Sequence, residues 1–91
     1  MEIHDILAEL INSEDEYLEE QAYKIYVNLA QLENNIITEQ LCRSYIQDIR
    51  DLIELDNIRG KINNRDLAQR TVGELTKLLM RGIASAINGV I

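Results

Sequence analysis

Few side chains in this chain can do covalent, acid–base or metal chemistry, and none of them has a motif around it. His4 is the single histidine and Cys42 the single cysteine. A nucleophile needs a base within reach, and a catalytic thiolate needs an electropositive neighbour that lowers its pKa. Neither residue has such a partner in sequence. His4, near the start, reads as a solvated or capping residue, and Cys42, on an apolar stripe, as a small core residue. Asp5 with Glu9, and Glu16 with Glu20, stand four apart, which places two carboxylates on one face of a helix. Without a histidine or a third ligand, such pairs are solvated helix faces. Patterns for a glycine-rich phosphate loop, HExxH, CxxC or a calcium loop are absent from the sequence. The expectation is a protein that is not an enzyme and that takes no metal or cofactor.

The elements that carry these residues can be read from periodicity. The chain has 91 residues, 46% apolar, with no Pro, Phe or Trp. Apolar residues that recur at three and four, in a chain without proline, predict an all-α fold. One domain, 1–91, is expected, and a chain of this size buries only about 60–65% of its unfolded surface. Ile3, Ile6, Leu7, Leu10 and Ile11 define a first helix over 2–11. Ser13 with Glu16 matches a reciprocal capping box. It opens a second helix over 14–33, with Tyr17, Leu18, Ala22, Ile25, Tyr26, Leu29 and Leu32 inward and Asn34–Asn35 as its stop. Thr38 caps a third helix through Leu41, Tyr45, Ile46, Ile49, Leu52, Ile53 and Ile58, closed by Gly60. Asn63 or Asn64 starts a short turn. Thr71 with Glu74 repeats the capping box for a last helix carrying Leu75, Leu78, Leu79, Ile83, Ala86 and Ile87. The reading is a small bundle of about four helices with a short connector. One cysteine allows no internal disulfide, no apolar run approaches the roughly 20 residues of a membrane span, and no signal peptide opens the chain. A cytoplasmic location is expected.

Charge divides the chain. Residues 1–42 carry ten acids against Lys24, a balance of −9, while residues 43–91 carry eight bases against six acids, +2, which together give the net −7. Two accounts compete: acidic and basic faces pair inside the bundle, or they form docking surfaces of opposite sign that set a partner's register. Arg59, Lys61 and Arg65 bunch around Gly60 at the point where the sign changes. They are candidate partner-binding residues, expected to project from a helix C-terminus, where cations are favoured. Independent nucleic-acid binding is disfavoured, because a chain at −7 repels phosphates. Tyr23 falls off the apolar stripe and is a further interface candidate. The charge-free end, "GIASAINGVI", stacks Gly82, Ala86 and Gly89 at i, i+4 and i+7. Small residues there permit close approach of another backbone, within the bundle or across an interface, and a glycine inside a helix costs about 1 kcal/mol relative to alanine.

"YIQDIRDLIELDNIRGKI" (Tyr45 to Ile62) followed by "TVGELTKLL" (Thr71 to Leu79) resembles the helical domain of archaeal GINS subunits. In that pattern a long helix ends in Arg-x-x-Lys-Ile-like residues and a capped helix opens with Thr and Glu. Arg59, Lys61, Ile62 and Glu74 are the matching positions. The match covers about 35 residues, and no residues remain for the second, small β-domain of that family. In size and Ile/Tyr-rich composition the chain is also similar to the helical accessory subunits of crenarchaeal B-family DNA polymerases. Both resemblances imply a non-catalytic subunit that binds and stabilises a larger replication enzyme. Two other expectations stand beside it: an acidic, antitoxin-like inhibitor of a nucleic-acid enzyme acting through 1–42, and a self-associating adaptor whose partner, as a homodimer, is its own copy.

Overall fold

A computed structural model describes residues 3–83. Four helices follow in order: α1 (Ile3–Ile11), α2 (Glu16–Glu33), α3 (Glu39–Ile58) and α4 (Arg65–Arg81), with no strand among the described residues. Sequential helices pack as neighbours and α1 also meets α4, so the four close a ring around one core. Leu10, Leu18, Ile25, Ile46, Ile53 and Leu75 fill its centre, and Ala22 and Ala68, fully buried, allow close approach of helices. The all-α bundle expected from periodicity is the observed fold.

The helix starts differ from the capping boxes. Asp15, not Ser13, is the N-cap of α2: its Oδ1 accepts from the Tyr17 and Leu18 amides at 3.0 and 3.3 Å. Ser13 faces backwards, its hydroxyl donating to the Leu10 carbonyl at 2.6 Å and accepting from the Asp15 amide. One residue with two roles thereby closes α1 and supports the cap of α2. Glu14 between them is held at φ +62°, a left-handed conformation unusual for a residue other than glycine. The second correction concerns Thr71. It lies inside α4, completely buried, with its hydroxyl donating to the Leu67 carbonyl at 2.8 Å. The last helix therefore starts seven residues earlier, where Asn64 Oδ1 accepts from the Leu67 amide at 3.2 Å. What reads as a short turn and a separate helix is one helix, because Leu67, Ala68, Thr71, Leu75, Leu78 and Leu79 share one buried stripe.

The expected stops are observed. Asn35 takes φ +60° after α2, and its amide and that of Ile36 reach back to the Leu32 and Gln31 carbonyls. Gly60 takes φ +76° after α3, with Gly60 and Lys61 bonding back to Asn57 and Asp56 in the same way. Thr38 caps α3 through the Leu41 amide at 3.1 Å. Gly82 corrects another expectation. It is not inside a helix but ends α4 at φ +93°, where the Arg43 guanidinium also donates to the Leu79 carbonyl. A cation from α3 thus sits on the C-terminal carbonyls of α4, where the helix dipole favours it.

At the opposite end of the bundle, the α1–α2 turn is joined to the α3–α4 turn. Asp15 Oδ2 accepts from the Asn64 amide at 3.3 Å, so one buried carboxylate serves the N-cap of α2 and the entry to α4. Beside it the Tyr17 hydroxyl donates to Asp56 Oδ2 at 2.6 Å. Burial of the phenol, then this bond and the charges of Asp56 and Glu20, push the Tyr17 pKa well above the ordinary phenol range. A raised folded-state pKa contributes stability that is whole below about pH 10 and lost as pH climbs towards the folded value.

Replacing Asp15 with Ala is expected to cost about 1–2 kcal/mol, the upper range for a helix cap, because it removes the Asn64 contact as well. Urea unfolding should show Ser13→Ala to be the milder change. The reverse order would mean that Ser13 caps α2 after all.

Candidate partner-docking site

The residues with chemical potential are not assembled into a catalytic constellation. Cys42 is fully buried on α3, its thiol 3.5 Å from the Asn28 carbonyl of α2. Desolvation, followed by the charge of Glu39, raises its pKa, the opposite of what a nucleophilic thiolate needs. His4 is exposed on α1. No group of three His, Cys, Asp or Glu side chains converges on a possible metal position among the described residues. None of the described helices is long and apolar enough to cross a membrane.

What the surface offers is apolar and aromatic. Of the four tyrosines only Tyr17 is half-buried; Tyr23, Tyr26 and Tyr45 are exposed. Tyr26, Leu41, Tyr45, Leu52 and Ile58 therefore depart from the inward stripes expected of them. The cause is geometric. A helix in a ring of four buries a narrow sector, and the apolar positions of α2 and α3 span a wider one. Part of the excess, Tyr45 with Tyr23 and Val27, lies on the α2–α3 seam. There Tyr23 and Val27 of α2 face Tyr45 and Ile49 of α3 across an open groove of about 600 Å³, whose walls also carry Glu20, Lys24, Asn28, Gln31 and Asp48. A smaller depression of about 360 Å³, lined by Glu16, Glu19, Glu20 and Tyr23, adjoins it towards the N-terminus of α2. Tyr23 is thus an exposed groove residue, as its position off the stripe suggests.

The basic candidates form a second surface. Arg59 is the C-cap of α3, Lys61 follows Gly60, and Arg65 is the first residue of α4; all three are exposed. Arg65 departs from expectation, since it stands at a helix N-terminus, where a cation opposes the dipole. None of the three enters an ion pair among the described residues. Asn57 holds the corner together by donating to the Arg65 carbonyl at 3.4 Å, while its buried Oδ1 has no partner. Tyr23 and this corner are not brought into one site: Asp48 and Arg59 are eleven residues apart on α3, roughly 16 Å along the axis. Gly82 lies at the far end of the bundle, where a Cβ would meet Glu39 Oε1 at 3.5 Å. Ala86 and Gly89 lie outside the described residues.

Ion pairs do little to cancel the two halves. Glu9–Arg70 at 2.8 Å joins α1 to α4, whereas the other described pairs, such as Lys24–Glu20 and Arg50–Glu54, stay within one helix. No protein-family model matches the chain, and no curated protein or solved structure resembles it at a significant level.

Arg65→Glu should therefore stabilise the protein by about 0.3–1 kcal/mol, because it replaces an unpaired cation at a helix start with an anion. Lys61→Ala should change stability by no more than about 0.5 kcal/mol. Destabilisation by Arg65→Glu in a thermal melt would show that Arg65 has a stabilising role inside the fold.

Proposed function

We propose that this chain is a non-catalytic interaction subunit that docks on a larger protein through the α2–α3 seam. The observation that supports this reading is the exposure of Tyr23, Val27 and Tyr45 around one groove between two packed helices. Tyrosine supplies contact area at small entropic cost and is enriched in protein interfaces. A chain of 91 residues with a small core has reason to keep its apolar surplus only where another surface covers it. The unpaired bases at 59, 61 and 65 form a second contact of opposite sign, suited to steering the same partner and setting its register.

The larger protein is proposed to be a DNA-processing enzyme or replication assembly, a reading that rests on the sequence resemblance over Tyr45–Ile62. The second half of that resemblance is weaker in three dimensions, since "TVGE" does not open a helix. The net charge of −7 supports contact with a protein component rather than with the nucleic acid itself.

Affinity capture from native extract, read by mass spectrometry, should return a stoichiometric partner with the wild-type chain. Tyr23→Ala with Tyr45→Ala should lower that capture by about thirtyfold or more, the range for loss of an aromatic anchor, without loss of helicity. Equal capture by the double variant would overturn the docking face.

A further inference from the structure

We propose that the α2–α3 groove receives a basic amphipathic helix of a partner protein, with apolar residues on one face and Lys or Arg along its flanks. This rests on the docking reading above and gives its occupant a chemistry. The floor of the groove is apolar: Tyr23 and Val27 from one wall, Tyr45 and Ile49 from the other. Its rim is acidic. Glu16, Glu19 and Glu20 border the N-terminal end and Asp48 stands on the facing wall. Lys24 is the one cation on these walls among the described residues, and it is held 3.7 Å from Glu20. Glu16, Glu19 and Asp48 make no ion pair among the described residues.

Four carboxylates around an apolar floor repel an acidic partner and leave an uncharged one to desolvate them without return. A cationic rim on the partner meets both conditions. The shape specifies a helix. From Glu20 to Gln31 the groove follows α2 for roughly 16 Å, three helical turns, so a docked helix can place apolar anchors at i, i+3 or i+4, and i+7. A second copy of this chain is a poorer occupant. Its most basic exposed apolar feature is the Ile58–Arg59 corner, and a chain with net charge −7 repels itself.

The test uses three synthetic 18-residue probes: an amphipathic Leu/Lys helix, the same pattern in Leu/Glu, and the Lys peptide with Ser at every apolar position. Fluorescence anisotropy should show the Leu/Lys probe binding, with both others at least tenfold weaker. Amide chemical shifts should move around Tyr23, Val27, Tyr45 and Ile49. Glu20→Lys with Asp48→Lys, both on exposed positions, should weaken the Leu/Lys probe at least tenfold and improve binding of the Leu/Glu probe. If Leu/Glu binds equally well in the same groove, the docking face survives and the basic partner is overturned. If shifts map elsewhere, or no probe binds while Tyr23→Ala/Tyr45→Ala still abolishes capture, the groove is not a helix receptor of this kind. Concentration-dependent self-association abolished by Arg59→Glu would put a second copy in the groove and overturn the proposal.

Discussion

Two buried carboxylates at one end of the bundle hold its two turns together, and the positions of the remaining elements follow from them. Asp15 caps α2 and receives the Asn64 amide at the entry to α4; Asp56 receives the Tyr17 hydroxyl. Both carboxylates are more than nine-tenths buried, where an unsatisfied anion would be costly, so each must find donors: Asp15 takes two from its own helix and one from the entry to α4, and Asp56 takes its donor from α2. This fixes α2 against α3 and brings the α1–α2 turn onto the α3–α4 turn. Glu14 is kept in its left-handed conformation because both its neighbours are committed, Ser13 to α1 and Asp15 to α2.

The consequences reach the surface. With Tyr17 tied to Asp56, α2 lies against α3 in a fixed register, and the next exposed positions, Tyr23 and Val27, must face Tyr45 and Ile49. The groove is thus shaped by contacts inside the bundle, which lowers the ordering cost of any partner it takes. Glu16, Glu19 and Glu20 of α2 border that groove with Asp48 of α3, whereas Arg59, Lys61 and Arg65 stand at the α3–α4 corner. The far end is tied differently, by Arg43 on the Leu79 carbonyl of α4, and midway along α3 the Arg50 Nε donates to the Thr76 hydroxyl at 2.6 Å.

Local signals were legible in the sequence wherever backbone conformation decides the matter. Asn34–Asn35, Thr38, Gly60 and Asn64 act where turn and cap chemistry places them, since their preferences hold in any context. The two capping boxes failed for different reasons. At 13–16 two residues could cap, and Asp15 prevailed because its second oxygen also finds a donor 49 residues away, a tertiary contact with no local trace. At 71–74 the pattern matched, but the buried stripe already ran through Thr71, whose hydroxyl can bond within the helix. The site was legible only in fragments. Tyr23 stands off the stripe, but Tyr26 and Tyr45 match helical spacing and so point inward by pattern alone, because periodicity gives a face and not its width. The exposure of Arg59, Lys61 and Arg65 was foreseeable from charge. That Arg65 opens α4 was not, since the capping-box pattern at Thr71 puts the helix start seven residues later.

A double-mutant cycle on Tyr17 and Asp56 addresses the constraint from which this account begins. Tyr17→Phe, Asp56→Asn and the double variant should be compared by urea unfolding under identical conditions. If the pair locks α2 to α3 as described, the single changes couple by about 1 kcal/mol or more, beyond the 0.3–0.5 kcal/mol within which independent sites add. Additivity within that margin would show that the bond is incidental and that core packing alone sets the register of the groove.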